Sequence, residues 1–248
     1  MSGHNKWSKI KHKKAKTDAQ KGKMFSKIVK EIMIAVKLGG ADVSANTRLT
    51  LAMQKAKQAN MPNDNVSRAI QKGSDIGGDN YEEIMFEAYG PFGVAMIIET
   101  LTDNRNRTVP IIKFILGKAN GSLASKGAVS YLFDQKGLIL FEPGVSEEEV
   151  MDVATNAGAE DVDLKEDGSI EVVSEAGDLN ICQKAFEQAG LEYVSASLEM
   201  IPRNTVSLDE DQAEKILRLV DTLEEDDDVQ NVYANFEIAD EILEKLNS

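Results

Sequence analysis

The chain has 248 residues, with 28 Lys plus Arg against 42 Asp plus Glu, for a formal net charge of −14. Its single cysteine, Cys182, excludes a disulfide framework and any Cys-cluster metal site. The longest apolar runs, 32–36 and 94–98, are too short for a spanning helix or a secretion-signal core. No Arg precedes Arg48, which argues against an Arg-rich presequence, so a soluble cytoplasmic protein of one large or two to three small domains is predicted.

The overall charge hides a segregation. Residues 1–72 carry 16 basic and 4 acidic side chains, a net of +12, while the other 176 carry 12 basic and 38 acidic, a net of −26. That asymmetry predicts a basic module for nucleic acid carried on an acidic body.

In chain order, residues 1–23 are lysine-rich with only Trp7 and Ile10 as large apolar groups, and read as a basic arm. From Met24 the apolar residues Phe25, Ile28, Val29, Ile32, Met33 and Val36 repeat at helical spacing up to Gly39 and Gly40. A second helix follows Asn46. A third, capped by Asn63 or Asp64, follows the break at Pro62, giving a bundle over 24–73. Residues 74–80 read as a polar hinge. Strands are predicted at 81–89 and 92–101, then a helix from Asp103 or Asn104 to about Ala119, and a strand at 128–133. Next comes a βαββαβ series with strands at 138–141, 161–164, 169–173 and 195–201 and helices at 146–156 and 175–189. A helix at 209–223 and a strand at 229–236 complete the middle domain. The fold class predicted is α+β. It consists of an N-terminal three-helix domain followed by two ferredoxin-like α+β domains, a middle one (81–134 plus 203–240) and an inserted one (137–201).

The strongest candidate site is the basic arm and the helix face continuing it. Lys6, Lys9, Lys11, Lys13, Lys14 and Lys16 cluster around Trp7 and His12, and Lys21, Lys23, Lys27 and Lys30 follow. Lysines that neutralise phosphates release counterions, and an aromatic ring can stack on a base. A second candidate surface is Asp103, Asn104, Arg105, Asn106 and Arg107, where two guanidinium forks flank a helix N-terminus. Either an anion site or simple helix capping by Asp103 with solvated arginines fits that segment. The acidic run 224–228 reads most simply as a solvated helix-to-strand turn, with a site for a cation or a basic partner as the alternative. His4 and His12 lack a third ligand nearby, so no metal is expected. Residues 121–127 fail the spacing of a phosphate loop, Cys182 has helical apolar neighbours, and no catalytic constellation or cofactor motif is assembled. A non-enzymatic protein is predicted.

Five ordered segments resemble the YebC/PmpR family: GHNKWSKIKH (3–12), MPNDNVSRAI (61–70), YGPFGV (89–94), LTDNRNRT (101–108) and VSYLFD (129–134). Phe92 stands where that family usually has Gly, and Tyr131 where Trp is common. The resemblance implies a helical domain plus two α+β domains, one inserted in the other, and a DNA-binding transcriptional regulator. It also implies an alternative, a translation factor on the ribosome, since mitochondrial relatives activate translation and some bacterial ones are linked to stalled ribosomes. The partners expected are DNA and/or ribosomal RNA, with the transcription machinery or the ribosome, and no membrane.

Overall fold

The computed structural model describes residues 18–75 and 81–247. Most of the predicted basic arm, and residues 76–80 of the hinge predicted at 74–80, lie outside them. Helix α1 (Asp18–Gly39) buries Ile28, Ile32 and Val36 on one stripe, against α2 (Thr47–Gln58) and α3 (Asn63–Ser74). Asn46 joins the first two: its Oδ1 accepts from Leu49 N at 3.0 Å, while its Nδ2 donates to Ala35 O and Gly40 O at 2.8 Å each. One side chain thus caps the start of α2 and satisfies carbonyls at the end of α1. The cap expected at Asn63 or Asp64 is not what forms. Pro62 occupies the N-cap without a side-chain bond, and both candidate residues lie within α3. Gly73 is needed here: a Cβ would sit 2.7 Å from Met33 O, so α3 can cross α1 this closely only without one.

Strands β1 (Glu82–Tyr89) and β2 (Ala95–Thr102) form an antiparallel hairpin. The second strand starts later than predicted. Pro91–Gly93 make a 3-10 turn with Phe92 at φ 63°, a left-handed conformation that cannot continue a ladder. Helix α4 (Arg105–Lys118) and the two-residue β3 (Ser122–Leu123) follow. The strand predicted at 128–133 does not form. Instead the buried Glu87 carboxylate, 6% exposed, accepts from the backbone N–H groups of Gly127 (2.6 Å), Val129 (2.7 Å) and Ser130 (2.9 Å). Those donors are thereby withdrawn from any ladder, and Ser130–Leu132 becomes a 3-10 turn. Glu87→Gln replaces one acceptor oxygen by an NH2 facing those donors. A loss of about 2 kcal/mol is expected, read by denaturant unfolding together with faster amide exchange over residues 124–132.

The inserted unit comprises β4 (Phe133–Phe141), α5 (Glu147–Asn156), β5 (Asp161–Leu164), β6 (Ile170–Glu175), α6 (Leu179–Ala189) and β7 (Ser195–Pro202). Its antiparallel sheet has the order β5-β6-β4-β7. The edge-on rings of Phe141 and Phe186, 4.9 Å apart, centre its core, where Cys182 is fully buried. Its first strand begins five residues before the predicted one at 138, because β7 pairs with it all the way from Leu140↔Ser195 to Phe133↔Pro202. The predicted boundary between 134 and 137 therefore falls inside a strand. The chain then returns through β8 (Val206–Leu208), α7 (Glu210–Glu224), β9 (Val229–Ala234), β10 (Phe236–Ile238) and α8 (Asp240–Asn247).

The middle sheet runs β3-β1-β2-β9. Along β2 successive side chains alternate between two buried faces. Met96 and Ile98 meet the core of α4 and α7, while Ala95 and Ile97 meet Val129, Phe133 and the partly buried Met200. The helical, middle and inserted units each have their own apolar core, and the chain has an α+β fold. No helix among the described residues is long and apolar enough to cross a membrane.

Candidate nucleic-acid interface

Of the predicted basic residues, Lys6, Trp7, Lys9, Lys11, His12, Lys13, Lys14 and Lys16 lie outside the described residues, as does His4. Lys21 is exposed at the start of α1. The next three are engaged by their own chain. Lys23 Nζ donates to Glu225 O (3.1 Å), Lys27 Nζ to Glu224 O (2.6 Å) and Lys30 Nζ to Asp227 O (2.8 Å) and Asp228 Oδ1 (3.0 Å). The physical cause is the C-terminus of α7. Its last carbonyls have no intrahelical donors and it carries the negative end of the helix dipole. Lysines spaced by four and three on α1 supply the donors and the charge. The expectation that Lys23, Lys27 and Lys30 extend a free phosphate-binding face is corrected: they bind the acidic turn of the same chain. That turn, read most simply as solvated with a basic-partner site as the alternative, is the docking point of the basic helix.

Asp228 is the centre of this contact. Its side chain is only 5% exposed, and it also accepts from Arg107 Nη2 (2.7 Å), Thr108 Oγ1 (2.9 Å) and Thr102 Oγ1 (3.0 Å). Burial alone would raise its pKa; the hydrogen bonds from Arg107, Lys30 and Thr108 and the nearby ammonium outweigh that and hold it down to about 2. The segment 102–108 thus folds around a carboxylate of its own chain. Asn104, not Asp103, caps α4 by accepting from Arg107 N at 3.2 Å. Asp103 pairs with Arg107 at 2.8 Å, so both oxyanion partners of that guanidinium are internal. Two free arginine forks are therefore not what this segment presents. Arg105 and Asn106 remain outward.

The helical unit keeps a basic outer surface. Lys55 and Lys57 on α2 and Arg68 and Lys72 on α3 are exposed, while Glu31 is paired with Arg48 at 2.7 Å. Arg48 also reaches Glu83 on β1, and Gln54 donates to Tyr193 Oη at 3.1 Å, tying α2 to both α+β units. Sequence reasoning did not single out Asp228 or Glu87. The only signal for Asp228 was an acidic turn elsewhere in a chain with a lysine-striped helix, and Glu87 sits in an ordinary strand pattern. Among the described residues no group of three or more His, Cys, Asp or Glu is placed to hold a metal ion.

Residues 5–76 match the family model described as the TACO1/YebC protein N-terminal domain, and residues 81–236 match the TACO1/YebC second and third domain. A probable transcriptional regulatory protein of Syntrophus aciditrophicus is 48% identical over the full length of both chains. One of Pelotomaculum thermopropionicum is 52% identical, covering 97% of this chain and 100% of its own. The crystal structure of a conserved hypothetical protein from Aquifex aeolicus superposes with a TM-score of 0.83 at 43% identity, covering 92% of this chain and 95% of that one.

Proposed function

Because the chain belongs to the TACO1/YebC family, we propose that it is a nucleic-acid-binding regulator of gene expression in the cytoplasm, acting on DNA as a transcriptional regulator. One observation carries this reading: +12 of charge in the first 72 residues against −26 in the rest. Three of those lysines are used inside the molecule. Lys6, Lys9, Lys11, Lys13, Lys14 and Lys16 then form the main contact, with Trp7 and His12 among them. The names of the relatives support a regulatory role. The reading assigns no reaction and needs no cofactor.

A second reading, a translation factor on ribosomal RNA or stalled ribosomes, is favoured by the lysine content of the arm. Ammonium groups read phosphate charge and position rather than base identity, so they suit a structured RNA as well as a promoter. Crosslinking in intact cells, with sequencing of both co-purified DNA and RNA, separates the two. Enrichment of promoter DNA is the expected result, and enrichment of ribosomal RNA transfers the assignment to the second reading. Recovery of neither above a mock purification removes both.

A further inference from the structure

We propose that the outward face of α4 is a second nucleic-acid contact, one that takes single strands by stacking a base on Phe114 between Lys113 and Lys118. It deepens the nucleic-acid reading above and rests on it. Four of the twelve basic residues beyond residue 72 lie in this 14-residue helix, which holds no Asp or Glu. Arg107 is held by Asp228, but Arg105 and Lys113 are exposed and make no ion pair with a described residue. The buried stripe of α4 is Thr108, Ile112 and Leu116; on the opposite side Phe114 is 61% exposed. The Lys118 ammonium lies 4.7 Å from the centre of that ring. Pro110 and Gly117 share this outer side.

Stability alone does not select these residues. Proline and glycine are the weakest helix formers, and a Cβ at Gly117 would meet nothing within 4 Å, so alanine would fit there and favour the helix. What Gly117 provides is a side-chain-free platform beside an exposed ring. An aromatic face flanked by cations and bordered by small side chains is the arrangement that stacks a base and neutralises its flanking phosphates. A duplex keeps its base faces covered, so the ring selects single strands. The rest of the body beyond residue 72, with 8 basic and 38 acidic groups for a net of −30, repels phosphate and confines the contact to this helix.

The test is fluorescence anisotropy of the full chain with a labelled mixed-sequence RNA single strand and a labelled duplex DNA of equal length. Phe114→Ala should weaken single-strand binding about fivefold to tenfold and leave duplex binding within about twofold. Lys113→Ala with Lys118→Ala should weaken both ligands and reduce the magnitude of the salt slope by about 1–2. All three positions are exposed, so melting should stay within about 1 °C of the parent. If both variants bind the single strand like the parent while replacing the arm lysines abolishes binding, the α4 contact is overturned and the nucleic-acid reading stands. If the parent binds neither ligand, the nucleic-acid reading fails and takes this contact with it. Tight binding of a poly-glutamate peptide that needs the two lysines, with single-strand binding insensitive to Phe114→Ala, overturns the assignment in favour of an acidic protein partner.

Discussion

Asp228→Ala is expected to cost about 2 kcal/mol at neutral pH and to lower the apparent melting temperature by about 6 °C. The carboxylate is buried and joins Lys30 of α1, Arg107 and Thr108 of α4 and Thr102 of β2. Its removal unfastens three elements together. The pH dependence has a definite sign. The native pKa lies near 2, below the ordinary 3.8, so the stabilisation is complete above about pH 4 and disappears as pH falls through about 2. Parent and variant melting curves should therefore converge between those values. Calorimetry across that range checks the magnitude, and hydrogen exchange checks the location, with amides of α1 and of the first turn of α4 exchanging faster. Arg105→Ala is the control, since its side chain is exposed and outside the network, and it should change stability by less than about 0.5 kcal/mol. Equal melting of Asp228→Ala and the parent at pH 7 would falsify the hub.

The largest expected effect on binding comes from replacing Lys6, Lys9, Lys11, Lys13, Lys14 and Lys16 by glutamine. If six ammonium groups engage duplex phosphates, log K falls against log salt with a slope of about −5, and the substitution should remove most of that slope. The affinity loss at physiological salt should be at least about a hundredfold. The contacts of Lys23, Lys27 and Lys30 to the acidic turn are untouched, so the melting temperature should stay close to the parent's. A salt titration followed by anisotropy reads both quantities, and a variant that keeps the parent slope sinks the arm as the principal contact.

Local patterns in the sequence were enough to read most elements. The three-and-four spacing of α1, the start of α2 after Asn46, and the order of strands and helices in the inserted unit all depend on neighbours within a few turns. Most of the misreadings have a different cause, a partner far away in the chain, while those at Phe92 and at the start of α3 are local. Residues 128–133 look like a strand because Val129, Leu132 and Phe133 are apolar, yet Glu87, some 40 positions earlier, takes the backbone donors of Val129 and Ser130. Phe92 looks like the first residue of a strand, but the turn at Pro91–Gly93 places it at positive φ. The lysine stripe of α1 reads as a phosphate face, since an ammonium group suits a phosphate, a carboxylate or an orphan carbonyl equally. Only the position of α7, nearly 200 residues downstream, selects the carbonyls. Asp228 was hidden among acidic neighbours for the same reason: composition cannot tell a buried carboxylate from the solvated ones beside it.

The continuity of β4 and β7 has a mechanical consequence. Among the described residues, the chain crosses between the middle and inserted units on two adjacent strands laced together from Phe133↔Pro202 onward, with Phe133 and Met200 seated against the middle sheet. Such a pair is a stiff two-legged strut rather than a hinge, since bending it means breaking ladder bonds and lifting those side chains from their seats. A load applied at the far end of the inserted unit is delivered to the back of the middle sheet without slack. The two units should therefore tumble as one body in solution.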